Sequence, residues 1–171
     1  MKKLIVILLI ISMFLTGCGI FDLNKWTVPQ DTEFIELVNT LNTPEKICNY
    51  MQDNFTYQYH SLYAPSPYKL WLTKNGDCND FATFGIFIAN YHGYETYTIK
   101  VYYKNTFKTH LLGVYVEDML SFSENWIYRH GYDNFRDIVI YDMRFRPPDW
   151  TWESYKVYDF DNTLIEKGVI E

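Results

Sequence analysis

The stretch GDCNDFATFGIFIANYHG, Gly76–Gly93, decides the fold. Phe81, Ala82, Gly85, Ile88 and Ala89 mark a tightly packed helical face. Asp77 is placed to cap the helix, Asp80 stands three residues on in a capping-box-like position, and Gly93 is a C-terminal stop. The pattern predicts a buried helix with Cys78 in its first turn. There the free backbone N–H groups and the positive end of the helix dipole favour a thiolate. Negative charge on Asp77 and Asp80 works the other way.

Working outward, two helices are predicted upstream. DTEFIELVNTLN carries Phe34, Leu37, Val38 and Leu41 at helical spacing. TPEKICNYMQDNF begins with Thr43 as N-cap and Pro44 at the first helical position, and Cys48 lies beside its stripe of Ile47, Met51 and Phe55. YQYHSLYAPSPYKLW, with two prolines, reads as extended or turn structure. Downstream of Gly93 the period becomes that of strands: YETYTIKVYYK, THLLGVYVE and MLSFSEN, with Glu117 and Asp118 as the turn between the last two. YDNFRDIVIYDM returns to helix and RPPDWTW to loop. YKVYDF and TLIEKGVI close the chain as a strand pair around Asp161 and Asn162. Helices first, then a mostly antiparallel sheet, is an α+β order.

A cysteine nucleophile needs a base and a group to orient that base. His110 opens a strand 32 residues after Cys78 and is the best-placed histidine. His92 is at the far end of the Cys78 helix, about 21 Å away at ~1.5 Å per residue. His60 and His130 fall in polar, irregular contexts and read as surface residues. A turn centred on Glu117 and Asp118 puts Asn125 opposite His110; a one-residue change of register favours Glu124 instead. Asn or carboxylate can hold an imidazole by accepting its N–H. Cys48 and Cys78 as a disulfide pair is the competing reading of the thiols. DFDNT lacks the glycine and distal glutamate of a calcium loop, no histidine spacing suggests zinc, and no glycine-rich phosphate loop is present, so no cofactor is expected.

GDCNDFATF, then a strand, then THLLGVYV and a hairpin ending near SEN, resembles the transglutaminase-like superfamily of cysteine enzymes. The upstream WLTKNGDC is similar to its bacterial branch of transglutaminase-like cysteine peptidases. The likeness spans roughly residues 45–126. It implies an α+β papain-like core, Cys78 as nucleophile, His110 as base, and a third residue that is usually Asp but is Asn125 or Glu124 here. The aromatic residue often found two after the histidine is Leu112. The implied chemistry acts on amide bonds of a peptide or protein, cell-wall peptide included, by hydrolysis in preference to crosslinking. The departures also admit an inactive relative that serves as an envelope binding module.

The N-terminus reads as an export signal. MKK supplies positive charge, LIVILLIISMF is an unbroken apolar run, and Leu15-Thr16-Gly17-Cys18 resembles the lipobox of bacterial lipoproteins. That implies a signal peptide over 1–17, lipidation of Cys18, a tether over 18–30, one domain over 31–171, and a membrane-anchored lipoprotein of the bacterial envelope. The chain's net charge of −6 falls by two more when Lys2 and Lys3 leave with the signal. Such a surface suits neither nucleic acid nor an anionic membrane, so the lipid would have to supply the anchor. Aromatic richness, with 16 Tyr, 12 Phe and 5 Trp, fits a strand-rich core.

Overall fold

The computed structural model describes residues 28–60, 66–104, 108–148 and 150–169. The signal, Cys18 and most of the tether therefore lie outside the described residues. Among those described, no helix is long and apolar enough to cross a membrane.

Among the described residues, five helices and eight strands follow one another: α1 Thr32–Thr40, α2 Pro44–Asn54, β1 Thr56–Tyr57, α3 Pro67–Thr73, β2 Asn75–Gly76, α4 Cys78–Tyr91, β3 Thr96–Tyr103, β4 Thr109–Val116, β5 Leu120–Glu124, β6 Ile127–Tyr132, α5 Phe135–Met143, β7 Trp152–Asp159 and β8 Leu164–Val169. β3 to β8 form one antiparallel sheet in the order β6-β5-β4-β3-β7-β8. β1 and β2 make a short parallel pair. The fold is α+β, with the first four helices on one face of the sheet and α5 on the other.

Two apolar clusters record those faces. Phe34, Ile47, Met51, Phe81, Phe84 and Tyr115 pack α1, α2 and α4 against β4. Ile99, Val101, Leu112, Val114 and Phe122 pack against Ile138 and Val139 of α5. Side chains alternate along β4, so its even-numbered residues face α5 and its odd-numbered residues face α4. Gly113 lets α4 approach: a Cβ there would come 3.4 Å from Ala82 Cα.

Two expectations change. Residues read as extended or turn contain α3, because Ser66 accepts from Lys69 N and Pro67 takes the first helical position. The segment before α5, read as irregular, is β6, which pairs with β5 and carries His130.

Candidate functional site

The capping box of α4 is present as expected. Asp77 Oδ1 accepts from Asn79 N at 2.9 Å, and Asp80 Oδ2 accepts from Asp77 N at 2.7 Å. Cys78 is the first helical residue and is buried. Cys48 and Cys78 are both free thiols, so the disulfide reading does not hold.

The register of β4 and β5 decides what surrounds Cys78. Val116 pairs with Leu120 across a three-residue turn, and the ladder ends at Gly113 opposite Ser123. The expected pairing of His110 with Asn125 is therefore one residue out. Slipping by one flips a side chain to the other face. Glu124 follows Ser123 onto the face shared by Phe122, Leu112 and His110. Asn125 turns out of the strand with φ 52, a conformation Asn tolerates better than most residues, and its buried Oδ1 has no hydrogen-bond partner.

Because β5 stops there, β4 has a notch in its edge. Val116 N bonds back toward β3, at Glu95 O, so by alternation the amides of odd-numbered residues point toward β5. Beyond Gly113 the β4–β5 ladder ends, and the Leu111 amide is near enough to the Cys78 thiol to lower its pKa. Leu111 is the residue that follows His110 in the chain. Burial raises the thiol pKa, opposed by the Leu111 and Asn79 amides and by Arg146. Cys48, mid-helix, is pushed by burial to about 12.

His110 rises on the α5 face and is 6 % exposed. Its Nε2 lies 4.0 Å from Asp142 Oδ1 of α5 and has no hydrogen-bond partner. His110, Glu124 and Asp142 offer atoms within 4.8 Å of one another; Cys78 is outside that group. Arg146 stands among the carboxylates, donating to Asp142 Oδ1 at 2.5 Å and pairing as an ion with Glu124 Oε1 at 2.8 Å. Burial, reinforced by Arg146, depresses His110 to about 3. Burial lifts Asp142 to about 6, with Arg146 limiting the rise.

Asp142 and Arg146 were missed by sequence reasoning. The signal was available: Asp142 continues the buried stripe of Ile138 and Val139 on α5, where an acid needs a partner.

His60 is not a bare surface residue. It is half-buried, and its Nε2 donates to Asp80 Oδ2 at 2.5 Å. His92 caps α4 and meets Val38 O, and His130 pairs with exposed Asp118. Two groups have the residue types of a metal site, His60/Asp77/Asp80 and His110/Glu124/Asp142. Neither fits one well. Two ligands on tetrahedral zinc stand about 3.3 Å apart, wider than the His60–Asp80 contact, and the guanidinium of Arg146 already supplies the cation of the second group.

No protein-family model matches the chain, and no curated protein matches it.

Proposed function

We propose that this chain is an exported, lipid-anchored cysteine enzyme with a papain-like, transglutaminase-like core, acting on amide bonds of peptides or proteins. The observation that carries the reading is Cys78 in the first turn of α4, its thiolate favoured by the amide of Leu111, the residue next to His110, whose Nε2 lies 4.0 Å from Asp142 Oδ1.

At rest the thiol and imidazole are both neutral. Cys78 Sγ attacks the amide carbonyl carbon, and its proton passes to His110. The imidazolium so formed is stabilised by Asp142 and Glu124. The leaving amine takes that proton as the C–N bond breaks, giving a thioester. Water then attacks the thioester with His110 as base, releasing the acid and restoring the thiol. An amine in place of water gives acyl transfer; hydrolysis is the preferred course. Backbone N–H groups of the first turn of α4 are available to the developing oxyanion.

The test is iodoacetamide labelling followed by peptide mapping, with Cys48 as the inert reference thiol. Cys78 is expected to react more than tenfold slower in His110→Ala, and any amide turnover to vanish in Cys78→Ala. Equal labelling rates with and without the imidazole, or turnover surviving Cys78→Ala, would remove the enzyme reading. A second reading, an inactive module that binds an envelope peptide, is favoured by the raised thiol pKa and by the arginine between the carboxylates. Peptide binding that persists unchanged in Cys78→Ala, without turnover in the native protein, would select it.

A further inference from the structure

Arg146 takes no part in the steps above, yet it organises the group that does. Its guanidinium is 14 % exposed and joins carboxylates from two elements. Nη2 contacts both Asp142 Oδ1 and Glu124 Oε1, and Nε donates to Asp142 Oδ2 at 3.3 Å. Asp142 Oδ1 is also the oxygen that lies 4.0 Å from His110 Nε2. That nitrogen is buried and without a hydrogen-bond partner. A buried polar atom in that condition is costly unless something nearby completes it.

We propose that Arg146 is a positioning residue: it grips Asp142 and Glu124 together, presents Asp142 Oδ1 to the Nε2–H of His110, and keeps the imidazole neutral. Nδ1 is then the nitrogen left to take the thiol proton. Only this last role rests on the cysteine-enzyme reading; the grip does not.

The charge count supports it. Titratable groups facing the cluster are Tyr103 of β3, Cys78 of α4, Glu124 of β5 and Asp142 of α5. The tyrosine and the thiol are neutral near pH 7 because burial raises both. Two carboxylates and one guanidinium therefore set the field at His110. Without the guanidinium the carboxylates act unopposed and draw a proton onto the ring. Lysine would retain the charge but lose the planar fork that holds both oxygens of Asp142.

The experiment is ¹⁵N NMR of histidine-labelled full-length protein, with His110 assigned by its absence in His110→Asn. Wild-type His110 is expected to remain neutral, as the Nε2–H tautomer, at every pH where the protein stays folded. In Arg146→Gln its midpoint should rise by about one to three units, with Arg146→Lys close to wild type. An Nδ1–H tautomer in the wild type, or an unshifted His110 in folded Arg146→Gln, would overturn the proposal. Should Arg146→Gln fail to fold, the wild-type tautomer and the Lys variant decide it. The readout is independent of turnover. A shifted His110 with an unreactive Cys78 sinks the enzyme reading alone; the reverse sinks only the role of Arg146.

Discussion

Two histidines in this molecule each stand beside two carboxylates, and they are held in opposite ways. His60 is half-buried and bonded directly to Asp80, with Asp77 Oδ2 at 4.0 Å. Its carboxylates lie three residues apart on one helical turn and already serve backbone amides. His110 is buried, and its carboxylates come from β5 and α5. An arginine satisfies them, and the ring nitrogen is left without a bond. The first arrangement is a completed clip on a helix end. The second keeps a neutral, desolvated ring among carboxylates that an arginine offsets.

The widest test of this contrast is to delete each ring. On the proposed function, His110→Ala lowers Cys78-dependent amide turnover by about 10²- to 10⁴-fold, whereas His60→Ala changes it only a few-fold. Steady-state rates of the two variants measure it, and equal losses would erase the distinction.

A second test uses stability. His110 is depressed from 6.5 to about 3, so as pH falls below 6.5 the unfolded chain gains a proton that the fold refuses, and stability drops. Asp142 is raised from 3.8 to about 6, so the fold gains a proton first, which offsets that drop between pH 6 and 4. In Asp142→Asn the offset is lost. The variant should lose about 2 to 3 kcal/mol more than wild type on going from pH 6 to 4, at ~1.4 kcal/mol per unit. Denaturant titration at both pH values reads this directly. Parallel profiles would mean that the His110 and Asp142 sites do not titrate as described.

Local chemistry made the His60 side partly legible in sequence. Asp77, Asp80 and Gly93 bound α4 through contacts within a few residues, and the capping box follows from composition alone. The partner His60 was not legible, since the chain between it and Asp80 had to fold back first. The His110 side depended on a turn of three residues where two were expected, and that single residue exchanged Glu124 for Asn125. Asp142 comes from an element on the other face of the sheet, and no local spacing links it to His110. The α+β class survived such errors because it rests on periodicity summed over whole elements.

A smaller effect probes the clip itself. Asp77→Ala removes the acceptor for Asn79 N and should cost about 1 kcal/mol, with Asp77→Asn retaining most of it. Chemical denaturation distinguishes the two, and an equal loss in both would show that the carboxylate charge, not the cap, is what the helix needs.

The smallest expected effect is the most discriminating for the comparison. His60 is 30 % exposed, so water competes for its bond to Asp80. His60→Ala should therefore cost less than about 1 kcal/mol, below the loss of the cap, and should leave Cys78 alkylation nearly unchanged. Asp80 keeps its bond to Asp77 N after the ring is gone, which is why the helix end should survive. A fall in Cys78 alkylation matching that of His110→Ala would instead make the exposed His60–Asp80 pair the working base. The buried cluster around His110 would then be a structural ion-pair network, with Arg146 stabilising the fold and nothing in the reaction passing through it.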